Sequence, residues 1–251
     1  MMSDIDNVAT GVHLVRGPSV NWVVIEGSLG PILIDTGYPG DRQAVVDALR
    51  ELGYGVEEVR AILLTHGHGD HIGNVTFVSR LSGCPVYAAR DEIPNIQREV
   101  IEQVGLADVQ PHLDRPGVSE WLTHAVEAGG LEVEAPQGVI AVDDLDDLSV
   151  VGVSIEAVPL PGHTRGHLGF LLPEHGVLVT GDALITGHPT SEQAGPQLLP
   201  EMFHGDVNRA RATLELLERI PSSVVLPGHG PAFHGSPAEA ARQAIEYGSA
   251  F

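Results

Sequence analysis

Two periods of apolar residues run along the chain. Short dense runs come first: Val12-His13-Leu14-Val15, Trp22-Val23-Val24-Ile25 and Ile32-Leu33-Ile34, broken at Gly17-Pro18 and Gly27-Ser28-Leu29-Gly30. Such runs between turn residues predict strands joined as hairpins. A helical period follows over 42–52, with Val45, Val46, Leu49 and Leu52 on one face and Gly53 as a stop. Ala61-Ile62-Leu63-Leu64 predicts a buried strand over 60–65. A helix is expected over 72–82, ending at Gly83, and a short strand at Val86-Tyr87-Ala88.

Residues 90–137 carry no clear strand pattern. Helix-like spacing over Ile93 to Val104 and Ser119 to Ala128 is interrupted by Gly105, Pro111, Pro116 and Gly129-Gly130, which predicts a mostly helical insertion. The short acidic run Asp143-Asp144-Leu145-Asp146-Asp147 reads as a solvated turn. Strand character returns at Val150 to Pro159, Leu168 to Leu172, Gly176 to Thr180 and Val224-Val225-Leu226. A polar loop rich in proline and glycine spans 186–205. Helices are expected over 206–219, with Asp206 as N-cap, and over 237–247, starting near Ser236. Each half starts with strands and then alternates strands with helices. The expected fold is α/β (α+β): two packed sheets with helices outside, in one domain over 1–251 that carries the 90–137 insertion.

Composition narrows the partners. The formal net charge is −21, and all 13 basic residues are arginines. Such a surface repels nucleic acid and anionic membranes, which need basic patches. A single cysteine, Cys84, excludes an intrachain disulfide framework and reads as a buried thiol. The N-terminus Met1-Met2-Ser3-Asp4-Ile5-Asp6 lacks the positive and apolar regions of a secretion signal. No apolar run reaches membrane-spanning length. A cytoplasmic enzyme with a small-molecule substrate, and with no nucleic-acid or membrane partner, is the expectation.

Candidate chemistry gathers at strand ends. Thr65-His66-Gly67-His68-Gly69-Asp70-His71 follows the Ala61–Leu64 run and puts three histidines and an aspartate into six residues. Glycines between them suit a tight loop. Pro161-Gly162-His163, Gly181-Asp182 and Pro227-Gly228-His229-Gly230 each follow another strand-like run. Histidine and carboxylate donors suit zinc and other borderline divalent ions.

With these four motifs and Ile34-Asp35-Thr36-Gly37, the chain resembles the metallo-β-lactamase-fold superfamily of metal-dependent hydrolases, in its glyoxalase II-like and lactonase-like branch. The resemblance runs over residues 11–235 and breaks only across the insertion. It implies a four-layer αββα sandwich and two divalent metal ions, zinc first, with iron or manganese as alternatives. One ion falls to His66, His68 and His163, the second to Asp70, His71 and His229, and Asp182 bridges them. It also implies a metal-bridging hydroxide as nucleophile, since zinc lowers the pKa of its water to about 7, and a second role for Asp70 as proton acceptor. Asp35 is either the outer partner of a ligating histidine or part of a simple strand-end turn, and His167 supports the site without ligating. Tyr38 reads as packing. His13, His112, His124, His175, His188, His204 and His234 are assigned no role, although loops bearing His188, His204 and His234 are placed to rim a pocket.

The expected reaction is hydrolysis of an ester-type bond, in a small acyl thioester or a lactone. The resemblance implies that true β-lactamases usually lack an aspartate at the bridging position, and Asp182 fills it here. Glyoxalase II-type enzymes carry basic residues near the C-terminus for glutathione, whereas only Arg242 follows His229. Lactonases often place a tyrosine soon after the bridging aspartate, and here Ala183-Leu184-Ile185 follows. A mononuclear iron oxidoreductase of the sulfur dioxygenase kind and a phosphodiesterase are the alternatives. The 90–137 insertion is expected to act as a lid. Its Ile93, Ile96, Val100, Ile101, Leu106, Trp121 and Leu122 would either face an apolar acyl group or pack the insertion down.

Overall fold

A computed structural model describes residues 4–142 and 152–248. The acidic turn at Asp143–Asp147 and the first two residues of the strand expected from Val150 lie outside them. Seven strands form the first sheet in chain order: β1 (Asp4–Ala9), β2 (Val12–Arg16), β3 (Asn21–Gly27), β4 (Gly30–Ile34), β5 (Ala61–Leu63), β6 (Val86–Ala88) and β7 (Ile140–Ala141). β1 to β4 are antiparallel, and β4 to β7 are parallel. The second sheet has the order β12-β11-β10-β9-β8, built from β8 (Glu156–Pro159), β9 (Leu168–Leu172), β10 (Val177–Gly181), β11 (Val224–Pro227) and β12 (Phe233–His234).

Side-chain alternation explains why the strands read as continuous apolar runs. Val23 and Ile25, Ile32 and Ile34, and Ala61 and Leu63 face the second sheet, where they meet Phe170, Leu172, Val177, Val179 and Leu226. Their neighbours Trp22, Val24, Leu33 and Ile62 face the other way, onto α1 (Arg42–Glu51) and α3 (Val75–Ser82). In the second sheet Leu171, Leu178 and Val225 point outward onto α7 (Val207–Leu217) and α8 (Pro237–Tyr247). A strand buried on both faces has no polar side to show. The layers therefore run helices, sheet, sheet, helices, as the resemblance implies. Cys84 is buried.

Several expectations need correction. β1 was not expected, because Asp4-Ile5-Asp6-Asn7 is too polar to read as a strand; it forms an edge, paired only with β2. β7 and β12, at two residues each, leave too short a pattern. The helix expected over 72–82 is split into α2 (Gly69–Ile72) and α3. The break falls at Gly73-Asn74, where Asn74 Nδ2 donates to the carbonyls of Thr36 (2.9 Å) and Tyr38 (2.7 Å) and pins the Asp35 loop. The helix expected over Ile93 to Val104 stops after α4 (Ile93–Ile96), and Arg98 adopts φ 60°. Beyond it lie α5 (Leu106–Val109) and α6 (Val118–Glu127), the second close to expectation. No helix of the described residues is long and apolar enough to cross a membrane.

Candidate metal centre

Two parallel strand pairs, β4–β5 in the first sheet and β10–β11 in the second, end at the same edge of the sandwich. Asp35 follows β4, His66 to His71 follow β5, Asp182 follows β10 and His229 follows β11, while His163 lies between β8 and β9. The sheets are tied together there. Leu168 N–H donates to Thr65 O at 2.8 Å, and Asn21 N–H donates to Gly228 O at 2.7 Å.

The structure brings all seven candidate ligand residues together. Donor atoms of His66, His68 and His163 lie within 4.8 Å of one another, as do those of Asp70, His71 and His229, and those of His66, His71 and Asp182. Asp182 sits between the first two groups. Its Oδ2 is 3.1 Å from His229 Nε2, 3.5 Å from His163 Nε2 and 4.0 Å from His66 Nε2, while Oδ1 is 3.5 Å from His71 Nε2. Asp70 Oδ2 is 3.6 Å from His229 Nε2 and 3.8 Å from His71 Nε2.

Outer hydrogen bonds fix which nitrogen of His66, His68, His71 and His229 faces inward. Asp35 Oδ1 accepts from Thr65 N–H (2.9 Å), and Oδ2 accepts from the Thr65 hydroxyl (2.7 Å) and from His71 Nδ1–H (2.8 Å). With its proton given to Asp35, Thr65 Oγ1 accepts from His66 Nδ1–H at 3.0 Å. Asp35 therefore orients His71 directly and His66 through Thr65. His229 Nδ1–H donates to Ser19 O (2.6 Å), and His68 Nε2–H donates to Glu102 O (2.5 Å). His66 Nε2, His71 Nε2, His229 Nε2 and His68 Nδ1 are thereby turned inward, and His68 Nδ1 there lies 3.0 Å from His163 Nε2. Ligating histidines are oriented this way by partners on their other nitrogen. Asp35 occupies φ 63°, a left-handed conformation that aspartate and asparagine tolerate better than other non-glycine residues.

The donor set fits metal ions. His66 Nε2, His71 Nε2 and Asp182 Oδ1 are buried and have no hydrogen-bond partner among the described residues. A buried polar atom left unpaired costs about 1–3 kcal/mol, so three facing one space are costly unless a cation takes their lone pairs. Electrostatics agree. Burial lowers the pKa of His66 and His163 well below the ordinary value, and the neighbouring rings lower it further. Burial also opposes charge on His71 and His229, but the carboxylates, Asp182 foremost, outweigh it and raise both. Burial disfavours the Asp182 carboxylate too, and His229 and His71 prevail to hold its pKa well below the usual range. The carboxylates thus draw positive charge into the cluster, the place a cation would take, while His66 and His163 are held neutral.

The insertion reaches into this centre, which its sequence did not reveal. Glu92 is 0% exposed and accepts four hydrogen bonds. Gly67 N–H (2.9 Å) and Asn95 Nδ2 (2.7 Å) donate to Oε1; the Thr164 hydroxyl (2.8 Å) and Gly166 N–H (2.9 Å) donate to Oε2. Glu92 thereby clamps the loop of His66 and His68 to the loop of His163. Asn95 Oδ1 accepts from Glu102 N–H, and Gln103 Oε1 accepts from Gly69 N–H. The motif glycines serve this contact. Neither Gly67 nor Gly69 has positive φ, so the backbone freedom expected of them is not what the loop uses. A Cβ on Gly67 would lie 2.8 Å from Asn95 Nδ2, and one on Gly69 would lie 2.3 Å from Gly130 O. The one available signal for Glu92 was its place just beyond β6, where neighbouring strands also carry chemistry-bearing residues.

Other expectations divide. His167 stacks on His66 with ring centroids 4.9 Å apart, and its Nε2 accepts from Asp182 N–H at 3.1 Å. Burial pushes its pKa down to about 3. It supports the site, as expected. His188 and His204, assigned no role individually, flank the centre: their rings lie 4.8 Å from His229 and 5.4 Å from His163. His234 lies on β12 and is exposed. Tyr38 is buried and lines the cavity above the cluster. Of the seven apolar insertion residues, Leu106, Trp121 and Leu122 line that cavity. Ile96 packs into the helix-side core, and Val100 and Ile101 are exposed.

Two stacked sheets presenting a buried histidine–aspartate cluster at one edge define a metal-dependent hydrolase architecture. A profile of the metallo-beta-lactamase superfamily matches residues 15–229, and the chain belongs to that superfamily. It is 28% identical over 235 residues to the probable metallo-hydrolase YflN of Bacillus subtilis, covering 88% of this chain and 84% of that protein. Over 155 residues it is 26% identical to the hydroxyacylglutathione hydrolase GloC of Haemophilus influenzae, 62% of this chain and 61% of that one. Among solved structures, the metallo-beta-lactamase family protein TTHA1429 from Thermus thermophilus superposes with a TM-score of 0.68 at 26% identity, over 93% of this chain and 78% of the other.

Asp35→Asn tests the outer layer. Asparagine keeps the shape and tolerates the φ, but it turns an acceptor into a donor opposite Thr65 or His71. Metal affinity is expected to fall about 10–100-fold, measured by competition with a chromogenic chelator, while circular dichroism stays unchanged. Unaltered affinity would remove Asp35 from the metal site.

Proposed function

We propose that the protein is a dinuclear metal hydrolase that cleaves an ester-type bond, in an acyl thioester or a lactone. The observation that carries this reading is the position of Asp182, whose two oxygens reach histidines of both donor groups. His66, His68 and His163 would hold one ion, Asp70, His71 and His229 the other, and Asp182 would be shared. When bound, two such ions, zinc first by donor chemistry, supply Lewis-acid polarisation and a water acidified toward neutral pH.

This chain's own groups supply the rest. Asp70 is the most open of the seven, with its side chain 16% exposed, and it lines the cavity, so it is placed to take the proton of an attacking water. His188 is a fixed donor. Its Nδ1 accepts from Thr190 N–H (3.2 Å) and from the Thr190 hydroxyl (2.7 Å), so the ring proton sits on Nε2. The Tyr38 phenol stays protonated, because burial and then Asp70 raise its pKa well above the ordinary value. Both are available to a substrate oxygen. The two ends of the insertion divide the labour: the Glu92–Gln103 part grips the ligand loops, and the part from Val104 onward walls the cavity as a lid. A small molecule is the partner this cavity fits, and the −21 charge supports neither nucleic acid nor an anionic membrane. A glutathione thioester, the substrate class that the name of GloC carries, is disfavoured: no arginine lines the cavity, and the chain has no lysine.

The test combines metal analysis with a panel of lactones, acyl thioesters, phosphodiesters and β-lactams. About two zinc ions per chain and turnover of lactones or thioesters are expected. Chelation is expected to abolish turnover and lower the melting temperature. Metal at a thousand times its Kd stabilises by about 4 kcal/mol per site, which corresponds to about 8–16 °C for a chain of this size. A single iron with oxidative turnover, or hydrolysis that survives removal of all metal, would overturn the reading.

A further inference from the structure

The cavity above the ligand cluster has a polar floor and an apolar exit. Asp182, His229, His188 and Tyr38 line its floor. Above them stand Trp121, Leu199 and Phe203, with the Trp121 and Phe203 rings edge to face at 4.9 Å. The same cavity continues to Leu106, Val126 and Leu131, which are 55%, 47% and 50% exposed. Ile101, nearby in the chain, is 66% exposed. Single exposed apolar side chains occur elsewhere on the molecule, but Leu106, Val126 and Leu131 line one cavity together, and contiguous exposed apolar surface marks a binding site. The charged groups that line the cavity, among the described residues, are the candidate metal ligands themselves, and none of the lining residues is an arginine. An anionic substituent lying along that wall would therefore meet no counter-charge there; Arg98, which feels the charges of Asp70 and Glu92, is not among the lining residues.

From this continuity between cluster and rim we infer the substrate class: an uncharged acyl compound whose apolar chain lies along the Trp121–Leu131 wall with its carbonyl at the floor. The inference rests on the hydrolase reading above. In the reaction, the oxygen of water bonds to the acyl carbon and the acyl C–O or C–S bond breaks. The acyl group leaves as its acid, and the alcohol or thiol takes the proton. The wall acts on the acyl chain alone, so chain length sets the rate while the leaving group is secondary.

Two measurements test it on the metal-loaded protein. The first is kcat/KM for nitrophenyl acyl esters from two to ten carbons, with ω-carboxylated esters of matched length. A rise of roughly fourfold per methylene is expected until the chain passes the rim, from the usual transfer free energy of a buried methylene, with the carboxylated esters at least tenfold poorer. Leu131→Asp is expected to flatten the rise at the longer chains with metal content unchanged. The second is binding of neutral, non-hydrolysable acyl amides, read by quenching of Trp121; the other tryptophan, Trp22, is buried in the core. Affinity is expected to climb with chain length in step with the ester series. A flat series in both measurements, or preference for the carboxylated chains, overturns the inference. Chain-length-dependent binding without turnover of any ester, lactone or thioester overturns the hydrolase reading and leaves the apolar acyl site standing.

Discussion

Asp182→Ala is expected to lower metal content from about two ions per chain to below one and to reduce turnover by more than a hundredfold. Among the described residues it is the one carboxylate within 4.0 Å of histidines from both donor groups. Its removal takes two anionic oxygens from a space otherwise lined by imidazoles, and mutual repulsion among the bound cations is then opposed by Asp70 alone. Loss of a partner one shell further out already costs about 10–100-fold, so loss of a shared ligand exceeds that range. Asp182→Asn keeps the volume and one acceptor oxygen, and is expected to retain more metal than the alanine variant. Metal analysis after gel filtration, with circular dichroism to verify the fold, decides the matter. Two tightly held ions and unchanged turnover in Asp182→Ala would show that the carboxylate is not shared.

The sequence was most legible where one physical rule governed each residue. Strands buried on both faces have to be apolar throughout, which places Leu168–Leu172 to the residue, and the cap at Ser236 does the same for the helix over 237–247. The seven donors were legible because each follows a strand and the polar types stand out against apolar runs. What could not be read was set by contacts distant in sequence. Helical spacing over Ile93 to Val104 gave way because Asn95 spends its amide on Glu92 and on Glu102 N–H, and Glu102 reaches the ligand loops at His68 and Arg165. Gly67 and Gly69 were noticed for the wrong reason: their use is the approach of residues 95–96 and 130, which local backbone preference does not encode. Glu92 stood within Arg90-Asp91-Glu92, which resembles a solvated charge run. His188 reads from the sequence only as a residue of a loop placed to rim the pocket, because nothing in a Gly-His-Pro loop announces that Thr190 fixes its tautomer.

Glu92 yields the other large expected effect. Alanine at this position would orphan the N–H groups of Gly67 and Gly166, the Asn95 amide and the Thr164 hydroxyl at once. At about 1–3 kcal/mol for each buried group left unpaired, the sum rivals the whole stability of a typical domain, about 5–15 kcal/mol, and Glu92→Ala is expected not to accumulate in folded form. Glu92→Gln is the informative variant. Its amide oxygen can stay toward Gly67 and Asn95, because flipping Asn95 would cost the bond from Glu102 N–H. Its NH2 group then faces Thr164, whose hydroxyl can rotate to accept, and Gly166 N–H, which cannot. One orphaned donor is expected to lower the melting temperature by several degrees, since about 1–3 kcal/mol corresponds to about 2–4 °C each at this chain length. The metal readout separates this from general loosening. His66, His68 and His163 sit on the two loops that Glu92 joins, whereas His71 and His229 are held by Asp35 and Ser19. Titration against a competing chelator is therefore expected to show one binding step weakened about 10–100-fold and the other unchanged. Equal weakening of both steps would make Glu92 a general stabiliser, and no weakening would detach the insertion from the metal centre.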